Sequence, residues 1–165
     1  MKLESAPDVV IKETERGKGL FAPAAIAAGT VIFSVDVNRN RLAFDETKEL
    51  DDRESYALQI GLSEYVLLKP PLVYANHSCQ PNCGFNAAYA FFALRDIAAG
   101  EELVWDYSTS MYEHNWNMKC QCGTALCRKI VRDFNLLPSK LQQEYLRLGI
   151  VLPYIVEAVY SRANK

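Results

Sequence analysis

Asn76-His77-Ser78-Cys79-Gln80-Pro81-Asn82 gathers amides, an imidazole, a hydroxyl and a thiol around one proline within seven residues. Such dense hydrogen-bonding capacity is either spent on water at a surface or built into a site. The run follows an apolar segment, Tyr65-Val66-Leu67-Leu68 and then Leu72-Val73-Tyr74-Ala75. An apolar segment that leads straight into concentrated polar groups points to a site at the end of a buried strand.

Around this run the chain has the makings of one globular domain. Its 165 residues are 50% hydrophobic and 23% charged, which excludes a disordered chain. A net charge of −2 argues against broad nucleic-acid or anionic-membrane binding, which needs basic patches. No apolar run approaches the ~20 residues that span a bilayer. Met1-Lys2-Leu3-Glu4-Ser5 lacks the apolar core of a signal peptide. Five cysteines, an odd number, fit an intracellular, reducing setting in which spaced cysteines bind metal more often than they pair. Nucleus or cytoplasm, or a host nucleus for a microbial protein, is left open.

Residues 8–13 and 29–35 read as short strands, with a turn-rich stretch containing Gly17, Gly19, Pro23 and Gly29 between them. Residues 45–60 are charged and helix-compatible, within an inserted segment of about 40–64. Strands are expected at 64–68, 71–75, 87–94 and 103–105, with a turn at Ala99-Gly100-Glu101 and a loop over 108–119. Beyond the cysteine-rich stretch the pattern turns helical. Leu141, Tyr145 and Leu148 recur at helical spacing before Gly149, and a second helix starts at Pro153.

Cys120-Gln121-Cys122-Gly123-Thr124-Ala125-Leu126-Cys127 has the form C-x-C-x4-C. Three thiolates this close can surround one ion, and Gly123 lets the backbone turn back. Zinc in structural sites takes four ligands. The fourth could be Cys79, Cys83 or His114, and spacing does not choose among them.

Four motifs in order resemble the SET-domain protein lysine methyltransferases over about Val9 to Arg128. Arg16-Gly17-Lys18-Gly19-Leu20-Phe21-Ala22 resembles the family's glycine-containing N-terminal motif. Asn76-His77-Ser78-Cys79 with Pro81-Asn82 resembles its N-H-S-C-x-P-N motif, and Gly100-Glu101-Glu102-Leu103 with Asp106-Tyr107 its G-E-E-L-x-x-D-Y motif. Cys120 to Arg128 resembles its zinc-binding post-SET segment. The resemblance implies a mainly β fold with some α: small curved β-sheets, a knot-like threading (a pseudoknot) and, here, C-terminal helices. It divides the chain into a SET domain over 1–119 and a post-SET zinc knuckle over 120–132, and the helical extension over 133–165 lies outside it.

What the resemblance implies for function is S-adenosylmethionine-dependent methylation of a protein lysine, with histone tails as the expected substrate. A non-histone protein, or a catalytically weak scaffold acting as a binding module, are the alternatives. Lys18, Gly19, Leu20, Tyr74, Asn76, His77 and Tyr107 would bind the cofactor, Lys18 and Gly19 mainly through backbone groups. Asn76 and His77 would also hold the threaded loop. Tyr107 would be catalytic, and Trp105 with Tyr107 would line the lysine channel. Cys79 would join Cys120, Cys122 and Cys127 around a structural Zn2+, leaving Cys83 as a small buried hydrophobe.

Two positions depart from the family. Trp105 stands where Phe or Tyr is usual, at a position that tunes how many methyl groups are added. It lacks a hydroxyl but is larger, so no product state follows. Val73 replaces an arginine that many members carry there. The acidic residues Asp45, Glu46, Glu49, Asp51 and Asp52 would suit a basic tail. The C-terminal helices are expected either to cover the core or to form a homodimer or partner surface through Tyr154, Ile155, Val159 and Tyr160.

Overall fold

Among the described residues no strand runs beyond five residues, and the sheets stay small. The computed structural model describes residues 6–160, without the side chains of 52–54, so that of Asp52 lies outside the description. In chain order the elements are β1 (Val10–Thr14), β2 (Gly17–Phe21), β3 (Val31–Ser34), β4 (Arg41–Ala43), α1 (Phe44–Lys48), β5 (Ala57–Gln59) and β6 (Glu64–Leu67). There follow β7 (Asn76–His77), β8 (Cys83–Phe85), β9 (Ala90–Ala93), β10 (Val104–Trp105), β11 (Asn117–Lys119), β12 (Ile130–Arg132), α2 (Ser139–Arg147) and α3 (Pro153–Tyr160).

The sheets are β1-β2, β3-β9-β8, β4-β6-β5, β7-β10 and β11-β12, and only β7-β10 is parallel. That parallel pair sets Asn76 beside Val104 and His77 beside Trp105. The 101–105 segment is also held from the other side, by Leu103 N–H to the Leu20 carbonyl at 2.7 Å and Ala22 N–H to the Glu101 carbonyl at 3.0 Å. Two of the motifs are thereby clamped together from distant parts of the chain.

Several expectations need correction. The stretch between the first two expected strands is not merely turns: Gly17–Phe21 is β2, with Leu20 fully buried. Its glycine answers a close approach, since a Cβ on Gly19 would lie 2.8 Å from Glu102 Oε1. Residues 71–75 are not a strand. Pro71 has no N–H for a ladder, and Leu72–Tyr74 forms a 3-10 turn in which Tyr74 N–H reaches the Pro71 carbonyl. The helix-compatible 45–60 segment is a short α1, a 3-10 turn over Asp51–Tyr56 and then β5. The expected loop over 108–119 opens with a 3-10 turn, Tyr107–Ser110, and ends in β11.

The main core gathers Leu20, Ile32, Leu58, Phe85, Phe91, Ile97, Leu103 and Leu152. Phe134, Tyr145, Ile150 and Ile155 make a second core under the C-terminal helices, and Cys79, Cys120 and Val131 a third. Leu152 therefore carries the extension into the main core, and Leu152 N–H bonds the Thr109 carbonyl at 3.1 Å. Of the residues named for a partner surface, Ile155 is fully buried and the Tyr154 hydroxyl donates to the Ser110 carbonyl at 2.7 Å. The helices cover this chain's own core.

Gly84 shows how closely they pack. A Cβ there would lie 2.7 Å from Cγ2 and 3.0 Å from Cβ of Ile150, atoms at the stiff base of a β-branched side chain. Gly84→Ala should therefore cost about 1–3 kcal/mol of stability through overpacking. Urea denaturation reads this directly, and an unchanged midpoint would mean that the extension does not bear on β8.

Candidate active site

Asn76, Ser78 and Asn82 each have a specific use, while the side chain of Gln80 is exposed. Asn76 Nδ2 donates to the Lys18 carbonyl at 3.1 Å and to Glu102 Oε1 at 2.8 Å, which ties β7 to β2 and to the G-E-E-L segment. Ser78 Oγ accepts from Gln80 N–H at 3.1 Å and shapes the turn. The Asn82 side chain imitates a strand partner: Nδ2 donates to the Glu102 carbonyl at 2.7 Å, and Oδ1 accepts from Val104 N–H at 2.9 Å.

His77 is buried, and its ring faces inward. Nδ1 accepts from Tyr107 N–H at 3.2 Å, so the neutral ring carries its proton on Nε2, which lies 3.4 Å from Cys79 Sγ. Burial lowers the His77 pKa to about 4 and outweighs the nearby Asp106 charge. Both ring nitrogens are therefore engaged inside the fold, in keeping with a part in holding the threaded loop. Leu20 is engaged likewise, its side chain in the core and its carbonyl on Leu103 N–H. Lys18 is exposed and Tyr74 and Asn76 are half-exposed, whereas Gly19 is buried. Lys18 Nζ lies 5.2 Å from the Tyr74 ring centroid. The Tyr74 ring offers a stacking surface and Asn76 Oδ1 an acceptor, the Nδ2 hydrogens being committed, and both fit a nucleoside-bearing ligand.

Tyr107 lines a cavity and reaches Ala75, the residue between Tyr74 and Asn76. Its hydroxyl donates to the Ala75 carbonyl at 3.1 Å, and its ring lies 4.8 Å from that of Trp105 and 5.3 Å from that of His77. Burial pushes its phenol up to about 12, so it stays protonated near neutral pH. Trp105 Nε1 donates to the same Ala75 carbonyl at 3.2 Å, and its ring packs edge-on against Phe85. Tyr107 and Trp105 both line a cavity of about 450 Å³, with Tyr65, Leu68, Leu72, Val73, Trp116 and Met118 among its apolar walls. Val73 thus faces the cavity. The guanidinium that reaches this region comes from Arg16, which donates to the His77 carbonyl at 3.2 Å and pairs with Glu102 at 2.6 Å.

The Sγ atoms of Cys79, Cys120, Cys122 and Cys127 all lie within 4.8 Å of one another, and those of Cys79 and Cys120 are 3.7 Å apart. A tetrahedral ion with bonds near 2.3 Å to sulfur spaces its ligands about 3.8 Å apart, so the donor set fits a thiophilic metal. Cys83 is buried in the main core and His114 lies against Tyr112, both outside the group. Gly123 at φ 68° reverses the chain, and the β11-β12 hairpin brings Val131 under the cysteines. Burial opposes ionisation of Cys122, yet hydrogen bonds from Thr124 and neighbouring groups pull it down to about 6.

Three residues beyond the expected set tie the knuckle to the tyrosine. Asp106, whose side chain is wholly buried, caps the Tyr107–Ser110 turn through Ser108 N–H at 3.0 Å. Arg128 grips it with two bonds, 2.6 Å to Oδ2 and 2.8 Å to Oδ1, and the Tyr145 hydroxyl of α2 donates to Oδ2 at 2.7 Å. Asp106 and Arg128 stand inside the quoted motifs, so adjacency to Tyr107 and Cys127 was a signal. Tyr145 had none.

The family model of the SET domain matches residues 17–108. The chain is 27% identical, over 74% of its own length and 5% of the relative's, to histone-lysine N-methyltransferase 2B of Homo sapiens. It is 30% identical, over 73% of its length and 16% of the relative's, to the H3 lysine-36 specific histone-lysine N-methyltransferase of Cryptococcus neoformans. The chain thus spans 16% or less of the length of these relatives. In fold it is similar to a humanized mutant of the Chaetomium thermophilum Polycomb Repressive Complex 2, with a TM-score of 0.53 at 24% identity, covering 66% of this chain and 16% of that one. With more than half of its 165 residues inside the family match, and with these motifs assembled around one tyrosine, the chain belongs to the SET-domain family.

Proposed function

We propose that this chain transfers a methyl group from S-adenosylmethionine to the side-chain amine of a lysine in a protein, with histone tails the first substrate class to try. The observation that carries this reading is the position of Tyr107. Its ring lines the aromatic-walled cavity, and its hydroxyl donates to the carbonyl of Ala75, the residue between Tyr74 and Asn76. A cofactor on one side and a lysine from the other would meet at that tyrosine. The relatives are named as histone-lysine methyltransferases, which supports the same chemistry here.

S-adenosylmethionine, when bound, supplies a methyl group on a sulfonium, ready for direct displacement by a neutral amine. The chain's own residues must therefore deliver the amine neutral and aligned. A free lysine has a pKa near 10.4 and is almost wholly charged at pH 7. The apolar walls at Leu68, Leu72, Val73 and Trp105 desolvate it and favour the neutral form. Tyr107, protonated and already bound to the Ala75 carbonyl, acts by orientation and not as a base. Alignment of this kind is worth several kcal/mol. Trp105 has its N–H committed to Ala75, so it bounds the channel by its ring.

The reading keeps the division into a SET core through 119, a knuckle over 120–132 holding Zn2+ on Cys79, Cys120, Cys122 and Cys127, and a helical extension from 133. Labelled S-adenosylmethionine offered with histones and a peptide array tests it. Tyr107→Phe should lower kcat about 100-fold while cofactor affinity, read by calorimetry, stays within a few-fold. Equal turnover in the variant would refute the assigned role. Failure of the wild-type protein to label any lysine while it binds cofactor would refute the reading.

A further inference from the structure

The cavity beside Tyr107 carries one feature that methyl transfer does not use. Glu113 lines it together with Tyr65, and the Tyr65 hydroxyl donates to Glu113 Oε1. Tyr65 is buried, and burial, reinforced by Glu113 and Asp133, raises its pKa far above the usual phenol range. It therefore stays a donor and fixes the carboxylate. The backbone of Glu113 is fixed too, its N–H donating to Asp133 Oδ1 at 3.0 Å. Asp133 is fully buried, and its Oδ2 has no partner among the described residues. Asp133 thus holds the Glu113 backbone from behind, and the residue whose carboxylate lines the cavity is Glu113. Asp51 adds a second acidic group to the lining. Lys48, the lining cation, lies 4.8 Å from the Phe44 ring centroid.

A carboxylate fixed in this way invites a cation, and the target lysine is the wrong one. A contact between Glu113 and the reacting amine would favour its charged form and oppose the transfer. A cation elsewhere on the substrate carries no such conflict. We infer that Glu113, oriented by Tyr65, selects substrates that carry a lysine or arginine beside the methylated lysine. The inference rests on the methyltransferase reading above and names the substrate class of the same site.

The test uses the whole chain and two peptides that share one methylated lysine. They differ only in carrying arginine or uncharged citrulline beside it. The wild-type protein should show kcat/KM about 10- to 100-fold higher on the arginine peptide, the scale of one charge-assisted hydrogen bond. Glu113→Gln should collapse that ratio towards unity. Glu113→Lys should turn the preference towards a peptide with glutamate at the same position. Tyr65→Phe leaves the carboxylate but frees it, so the ratio should fall part of the way, and this variant serves if the Glu113 variants do not fold. Equal efficiency of the wild type on both peptides, or an undiminished ratio in Glu113→Gln, overturns the inference and leaves methyl transfer standing. If neither peptide is methylated, fluorescence anisotropy of the same pair decides. Binding that prefers arginine and loses the preference in Glu113→Gln supports selection by Glu113 although the catalytic reading fails; equal binding overturns it.

Discussion

Asp106→Asn should cost about 3–5 kcal/mol of folding stability, the scale for removing one member of a buried ion pair. The substitution is nearly isosteric, so the loss comes from charge. The asparagine carbonyl can still cap the Tyr107–Ser110 turn through Ser108 N–H. What disappears is the anion that takes two hydrogen bonds from Arg128 and one from Tyr145. Burial acts against the Arg128 charge, but Asp106 more than offsets it and raises its pKa, so in the variant a guanidinium with only 15% of its side chain exposed stays charged without its partner. Arg128 Nε is already buried without a bond among the described residues, so the variant leaves still more of the guanidinium unsatisfied. Chemical denaturation of Asp106→Asn, Arg128→Met and the double variant measures the pair. The double variant should recover a substantial part of the loss, because it no longer buries an unpaired cation. A loss below about 1 kcal/mol in Asp106→Asn would show that the pair is not what joins these parts.

The same residues show what could be seen in the sequence and what could not. The Asn76–Asn82 run, the G-E-E-L segment and the C-x-C-x4-C stretch are local, and each kept its shape as a motif in the fold. Their order was enough to name the family. What joins them is not local. Asp106 meets Arg128 across 22 residues and Tyr145 across 39, and no periodicity or spacing marks such partners. Strand β2 was hidden by its own glycines, which speak against a strand until Glu102 is seen lying across Gly19. His77 was legible as important but not in which direction it faces. A ring next to an asparagine that meets β2 could as well have met a ligand, and only the positions of Tyr107 N–H and Cys79 Sγ decide. The helices were legible from their apolar spacing, whereas their role as cover needed the fit of Ile150 on Gly84.

Removing the metal should have the largest effect. Chelation, or Cys122→Ser, should abolish protection from hydrogen exchange over 120–132 and lower methyl transfer at least tenfold, with both restored to the chelated wild type by added Zn2+. Structural zinc sites contribute about 10–16 kcal/mol of apparent free energy at pH 7, as much as a whole domain's stability or more. The third core is small, Val131 with two of the cysteines and the flanks of Trp116 and Met118, and does not replace that. The loss reaches the tyrosine by a short path. Cys79 Sγ lies 3.4 Å from His77 Nε2, and His77 Nδ1 receives the Tyr107 N–H. A metal-bound thiolate accepts the Nε2 proton well. Without the metal, burial raises the Cys79 pKa and leaves a neutral thiol, a weaker acceptor, so the ring is held from one side only. Trp116 and Met118 also wall the cavity, so loosening the knuckle opens the channel as well. Cys83→Ala is the control, since its sulfur lies in the main core and the variant should keep one metal per chain by elemental analysis. Full activity in metal-free protein would refute a structural metal. If zinc also tightens cofactor binding through this path, linkage requires the reverse effect too: bound cofactor should raise the affinity for zinc, read by equilibrium competition with a chelator.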